Sequence, residues 1–163
     1  MQVALRRIAT LTVFATLAVP AQSQVLTEKN ISLAMAMTIA QTAIETCKAN
    51  GYVVSVHVLD RAGLAKVALR ADGAPLHTFE NSDRKAYTSR TFRIPSGEFA
   101  KRVAQPGANG AQFLSRTIAL QGALPIKIGE DVIGSVGVSG APGGEKDEVC
   151  AQAGIDKVAD QLK

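Results

Sequence analysis

Apolar residues recur along this chain with two periods, one typical of helices and one typical of strands. Spacings of three and four residues predict a long helix over residues 28–50, which Gly51 ends. The β-branched run 52–59 and the alternating stretch 64–71 come next, separated by an Asp-Arg-Ala-Gly turn. The first part of the chain therefore predicts a helix and then a β-hairpin.

The helical period returns after a Gly-Ala-Pro break. It predicts a helix over residues 76–92 and a short one over 98–103, with Ser96 as the N-cap residue of the second. Residues 105–112 predict a loop, because glycine, alanine and a proline dominate them, and residues 113–120 fit neither period. The middle of the chain thus predicts two helices and an irregular connection.

Two strands and a helix complete the chain, over residues 125–128, 132–139 and 145–162. Short turns join consecutive strands, so the sheet is predicted to be mainly antiparallel. The strands are apolar on both faces, and we therefore expect helices to cover the sheet. The predicted fold class is α+β: a mainly antiparallel β-sheet flanked by helices in a single layered domain.

Two glycines, Gly134 and Gly137, interrupt the strand over residues 132–139. Glycine weakens a strand, so we expect either a ligand or a helix to approach the backbone closely there. The Gly-rich stretch 140–144 then leads into an acidic helix start. The acidic residues favour a simple turn over an anion-binding site at this point.

The first residues have the composition of a secretory signal peptide. Two arginines precede the apolar run 8–19, which is too short to span a bilayer, and small residues follow it as far as Ser23. We expect a signal peptide over residues 1–23, cleavage near Ser23, and a mature domain over 24–163. The mature protein is therefore expected to be periplasmic or secreted.

Charge and cysteine content narrow the range of partners. The formal net charge of the whole chain is +4, and removal of the two signal-peptide arginines lowers it, which argues against a nucleic-acid partner. Two cysteines, Cys47 and Cys150, are too few for a zinc site. In an oxidising compartment they could form one disulfide, provided that their predicted helices are adjacent.

Two histidines are the candidate metal ligands. His57 lies in mid-strand and faces the opposite way from Val56 and Val58, whereas His77 lies at the start of a helix. Either imidazole suits an iron porphyrin as an axial ligand, and the alternative for His57 is a hydrogen-bonded core histidine. The sequence has no nucleophile elbow, metal-ligand cluster or dinucleotide fingerprint. It therefore assigns no catalytic residue and favours a binding protein.

Several stretches carry a family resemblance, in the same order along the chain: 51–60 with Gly63, 72–75, 85–88, 125–126, 134–140 and 147–155. In these stretches the chain resembles the GlcG/HbpS family, also called the haem-degrading domain family, which includes the C-terminal domain of PduO-type corrinoid adenosyltransferases. The resemblance implies an α+β fold, homo-oligomers and, in exported members, haem binding. The family commonly has a small apolar residue where this chain has His57, and its haem ligands differ among members, so no axial ligand carries over.

The resemblance and the residues together predict a haem site along the helix over residues 76–92. His77 is the leading candidate for the iron ligand, His57 is the second, and Tyr87 contributes apolar surface. The cations expected near the haem propionates are Arg84, Lys85 and Arg90. The competing interpretation is that the segment 85–88 holds the fold or a subunit interface.

Three functions follow from these expectations. The first is an exported haem-binding protein that stores, senses or transfers haem. The second is a binding protein or enzyme for a small metabolite, such as a hydroxy acid or a corrinoid. The third is an oligomeric accessory partner of a membrane sensor or transporter. Export favours the first, because catabolism of small acids is mostly cytoplasmic.

Overall fold

Four antiparallel strands form the centre of the protein in the computed structural model, which describes residues 25–163. The predicted signal peptide, residues 1–23, lies outside the described residues. The strands lie side by side in the order β2–β1–β4–β3, and their bounds are Ser55–Asp60 for β1, Ala65–Arg70 for β2, Ala123–Ile128 for β3 and Asp131–Ser139 for β4. Every pairing in this sheet is antiparallel. The predicted α+β class is confirmed.

Helices cover both faces of the sheet. The first and last α-helices, α1 (Leu33–Ala49) and α4 (Gly144–Asp156), pack against each other and against one face. On the opposite face, α2 (Leu76–Phe92) packs on β1 and β4, and the short α3 (Ser96–Val103) extends this layer. Among the helices within residues 25–163, none combines the length and apolar character needed to cross a bilayer.

The helix ends differ from the prediction where side chains act as caps or tertiary partners. The first helix begins at Leu33, five residues later than predicted, because the Ser32 side chain accepts a hydrogen bond from the N–H of Met35 and caps it. Ser96 is not an N-cap. Its buried hydroxyl instead accepts the N–H of Ala123 and ties α3 to the start of β3.

The two faces of the central strands have different chemistry. Val56, Val58, Val136 and Val138 lie fully buried in the apolar core against α1 and α4. The alternate positions of the same strands face α2 with small or polar side chains, as in the bond from the Ser135 hydroxyl to the Ala86 carbonyl. This polar face binds α2 by hydrogen bonds and close contact rather than by large apolar groups.

Glycine allows α2 to lie directly on β4. A Cβ placed on Gly137 would lie 2.7 Å from the backbone nitrogen of Ala86 and closer still to the carbonyl oxygen of Ser82. The sequence predicted a close approach to this strand by a ligand or a helix, and the helix α2 makes it. The glycine is therefore required by the packing of helix on sheet.

A disulfide bond links α1 to α4 on one face of the sheet. Cys47 near the end of α1 and Cys150 in α4 form a disulfide, with their Cα atoms 5.5 Å apart. Both residues are buried in the apolar core. The condition stated from the sequence, that the two helices be adjacent, is met.

Candidate functional site

The predicted site residues lie along α2 and on the strand beneath it, but they do not share one surface. One side of α2 faces the sheet and is buried, through Thr78, Ser82, Lys85, Ala86 and Ser89. The opposite side is exposed towards its two ends, as at Glu80 and Thr91, and only partly exposed between them.

His77 lies in the first turn of α2 with its side chain exposed. Its neighbours include two large apolar side chains that are also in solvent: Leu76 is 80% exposed and Phe79 is 40% exposed. Neighbouring apolar side chains that are exposed in this way are typical of surfaces that bind a ligand or another protein. This end of α2 therefore offers an accessible imidazole beside apolar surface.

His57 is buried in β1 under the same helix and is only 5% exposed. Its Nδ1 atom lies 2.8 Å from the Ser82 hydroxyl, and the edge of its ring meets Phe79 with the centroids 4.5 Å apart. Ser82 donates its only hydroxyl proton to the Phe79 carbonyl. It follows that His57 donates from Nδ1 to Ser82, and that Nε2 carries the lone pair.

Burial holds His57 in its neutral form. Desolvation lowers the pKa of the imidazole, the nearby Asp83 carboxylate offsets part of this effect, and the Arg116 guanidinium adds to it. A neutral ring with a free Nε2 lone pair is chemically able to bind a metal. Its position beneath Phe79, however, also fits the alternative of a hydrogen-bonded core histidine.

The two histidines do not converge on one site. Successive residues on a helix are rotated by about 100°, so His77 and Phe79 point to opposite flanks of α2. His57 contacts the Phe79 flank. One ligand bound to α2 would therefore meet one of the two imidazoles, and His77 is the exposed one.

Lys85 is an interior residue. It is 4% exposed, and its Nζ atom donates to Asp147 Oδ2 at 2.8 Å and to the carbonyl oxygen of Val138 at 3.1 Å. The other oxygen of Asp147 accepts the N–H of Ala141 in the loop before α4. Lys85 thus ties α2 to β4 and α4, as the competing interpretation of the segment 85–88 proposed.

The attraction between Lys85 and Asp147 offsets only part of the cost of burying the Asp147 carboxylate. Burial raises the pKa of Asp147, while the Lys85 ammonium and the Ala141 N–H counteract that rise. Both charges therefore depend on each other, and neither is available to a ligand at the surface.

The other two candidate cations, Arg84 and Arg90, lie at different positions along the axis of α2. Arg84 donates to the carbonyl oxygen of Thr117 at 2.8 Å and pairs with Glu80 at 3.3 Å. Since seven residues make about two helical turns, Arg84 lies on the same flank as His77 and about 10 Å further along the axis. Arg90 is half-buried in the last turn, where burial and the charges of Arg93 and Arg61 lower its pKa.

Tyr87 belongs to a cluster that the sequence did not reveal. The Arg116 guanidinium lies 4.5 Å over its ring, forms two hydrogen bonds with Asp83, and donates to the carbonyl oxygen of Gly63. This arginine fastens the irregular segment before β3 across the outer surface of α2. Its role could not be read from residues 113–120, because they show no regular period.

The described residues form no metal cluster of their own. Within residues 25–163, no three His, Cys, Asp or Glu side chains come together in a way that could hold an ion. The first turn of α2 offers an exposed imidazole, and Leu76 and Phe79 expose apolar surface on neighbouring faces of the same turn.

Comparison with known families gives one match over most of the chain. The sequence profile of a family described as "Haem degrading protein HbpS-like" matches residues 31–156. A protein from Citrobacter freundii, an uncharacterized 15.0 kDa protein in the dhaT-dhaS intergenic region, is 33% identical over 130 residues. That alignment covers 77% of this chain and 90% of the relative.

Two solved structures share the fold. A double mutant of HbpS from Streptomyces reticuli is 34% identical, with a TM-score of 0.78, covering 85% of this chain and 96% of the other. The structure of PduOC in complex with haem is 24% identical, with a TM-score of 0.71, covering 78% of this chain and 94% of the other. The strand order and helix layers described above are thus those of proteins similar to HbpS.

Proposed function

Since this chain belongs to the HbpS-like family, we propose that it binds haem on the exposed flank of α2, and that it stores, senses or transfers the haem. The observation that carries the proposal is the exposed imidazole of His77 in the first turn of α2, next to the exposed side chain of Leu76. A haem bound there would supply an iron for redox or ligand chemistry. In this proposal the protein contributes the axial ligand and the binding surface.

Each residue of this flank has a separate part in the proposal. His77 holds the iron through a ring nitrogen. Leu76, next to His77, would shield part of the porphyrin from water, and the transfer of apolar surface out of water is favourable. Arg84 pairs with a propionate, although it must share its guanidinium with Glu80 and the Thr117 carbonyl. Lys85 is left out, because its ammonium is held by Asp147.

Replacement of His77 by alanine is the direct test. We expect the protein with residues 24–163 to give a saturating, shifted Soret band with haemin, and His77→Ala to weaken haem binding at least tenfold, because the iron loses its axial nitrogen. Thr91→Ala, a change at another exposed position of α2, is the matched control and should leave the titration unchanged.

Two other results would contradict this proposal, one for His77 as the iron ligand and one for haem binding as a whole. An unchanged Soret band and affinity in His77→Ala would remove His77 as the ligand and direct the next variant to His57. A featureless, non-saturating rise with the unsubstituted protein would reject haem binding altogether.

Export is the second part of the proposal. The Cys47–Cys150 disulfide supports it, because such bonds form and persist in oxidising compartments. We expect protein recovered from the periplasm or the medium to lack residues 1–23 and to contain no free thiol. Intact-mass measurement with and without a thiol-alkylating reagent reports both. A full-length cytoplasmic protein with two reactive thiols would contradict this prediction.

Assembly into homo-oligomers completes the proposal. The exposed apolar side chains on the α2 side of the molecule, such as Leu76 at 80% and Phe113 at 84% exposure, support it. Sedimentation measured with and without haem would show whether copies associate and whether haem affects that association. Partnership with a membrane sensor or transporter has no specific support in the described surface.

A further inference from the structure

A cavity of about 380 Å³ lies at the opposite end of α2 from His77. It is bounded by the last turn of α2, by α3 and by the loop over residues 107–111. Nothing in the haem proposal uses these residues. Its volume lies within the range of natural small-molecule sites.

The helical side of the cavity carries an apolar and partly aromatic wall, whereas the loop side includes the polar side chain of Asn109. Phe92 from α2 and Phe99 from α3 stack with their ring centroids 4.4 Å apart, and Ile94 and Val103 extend the apolar surface. Phe99 is only 2% exposed, so the wall is fixed by the protein core. Such a wall suits a flat or branched hydrocarbon group.

One charge lies in this lining. Of the described residues that line the cavity, Arg102 alone is ionisable. Phe99, Arg102 and Val103 lie at positions i, i+3 and i+4 of α3, so they share one helix face and the guanidinium borders the aromatic wall. An apolar wall beside a single cation matches a ligand with an apolar body and one carboxylate.

The guanidinium of Arg102 is free to take such a ligand. Its ion pair with Glu98 is 4.0 Å long, and the two side chains are 66% and 54% exposed. An exposed pair at that distance has little stabilising effect. A carboxylate held against the cavity wall, partly out of water, would form a stronger charge-assisted hydrogen bond with the arginine.

We propose that the cavity between α2, α3 and the loop over residues 107–111 binds a small monocarboxylate with an aromatic or branched apolar body, and that Arg102 holds its carboxylate. The site is separate from the proposed haem site. Occupation would fasten the loop, in which Gly107 and Gly110 adopt positive φ, onto α3.

Phenylacetate is the probe for this proposal, with titration followed by amide NMR shifts of the protein with residues 24–163. We expect saturable shifts confined to residues 92–111, with affinity in the millimolar range that suits a ligand of this size. Phenylacetamide, which has the same shape and no charge, and acetate, which lacks the ring, should each bind at least tenfold more weakly.

Three variants test the residues. Arg102→Gln should weaken phenylacetate binding at least tenfold, whereas Lys101→Gln removes an exposed charge from the adjacent position of α3 and should change it less than twofold. Ala108→Trp places a large ring in the cavity from its exposed rim and should abolish binding.

The proposal is overturned by any of three results: no saturable shift with phenylacetate, equal affinity for phenylacetamide, or equal losses in Arg102→Gln and Lys101→Gln. Haemin titration of Arg102→Gln keeps this proposal distinct from the haem proposal. The Soret titration of that variant should match that of the unsubstituted protein, whichever way the phenylacetate result falls.

Discussion

Gly137→Ala is expected to be the most damaging single-methyl change in the described part of the chain. Its new Cβ would overlap the backbone of α2 at Ser82 and Ala86, and neither a helix backbone nor a central strand can move away without breaking hydrogen bonds. We expect a loss of more than about 4 kcal/mol in the free energy of unfolding, a size that marks a specific steric mechanism. Urea unfolding followed by circular dichroism measures it.

Gly73→Ala is the matched control for that change. Gly73 has φ +83° and no atom within 4 Å of an added Cβ, so alanine there meets backbone strain without a steric clash. The expected loss is about 1 kcal/mol. If Gly137→Ala lowers the free energy of unfolding no more than Gly73→Ala does, α2 does not pack on β4 as closely as described.

Lys85→Met is expected to have the second largest effect. Methionine has a similar length but leaves the carboxylate of Asp147, which is 2% exposed, without its cation. Removal of one partner of a buried pair costs about 3–5 kcal/mol. Lys146→Met removes an exposed lysine from α4 and should cost less than about 0.5 kcal/mol.

The loss in Lys85→Met should depend on pH in a defined direction. Burial already raises the pKa of Asp147 above its ordinary value of 3.8, and removal of Lys85 raises it further. A raised pKa favours the folded state below the unfolded pKa, and that contribution is lost as pH rises through the folded pKa. The difference from the unsubstituted protein should therefore be larger at pH 8 than at pH 5.

A second substitution identifies the cause of that loss. Asp147→Asn keeps an acceptor for the Ala141 N–H and removes the charge, so adding it to Lys85→Met should recover most of the lost stability at pH 8. A double variant as unstable as Lys85→Met alone would show that the loss comes from packing around residue 85 and not from an unpaired charge.

The fold was predictable because short-range signals fix most of its elements. Residues 76–92 were predicted as a helix and Leu76–Phe92 form α2, since Pro75 precedes its first residue and Pro95 prevents its continuation. The start of α1 and the end of α4 were predicted less accurately. Apolar spacing continues through Ile31 before α1 and Val158 after α4, and both side chains enter the core from outside those helices.

The site was less predictable, because its partners are distant in sequence. Strand alternation gave the direction of His57, but its partner Ser82 lies on another element. Lys85 looked like a surface cation in a basic segment, and its partner Asp147 is 62 positions further along the chain. No local pattern reports such a pair, so the sequence could not distinguish an interior lysine from one that meets a propionate.

The disulfide also has consequences for the order of maturation and for the products of proteolysis. Cys47 and Cys150 are separated by 103 positions, so the covalent ring they close contains the whole sheet, α2 and α3. In the proposed export, the ring cannot close until Cys150 has entered the oxidising compartment, so oxidation follows the transfer of nearly the whole chain. A protease that cuts the exposed loop near Gly107 would leave both fragments joined, and the cut would become visible on a gel only after reduction.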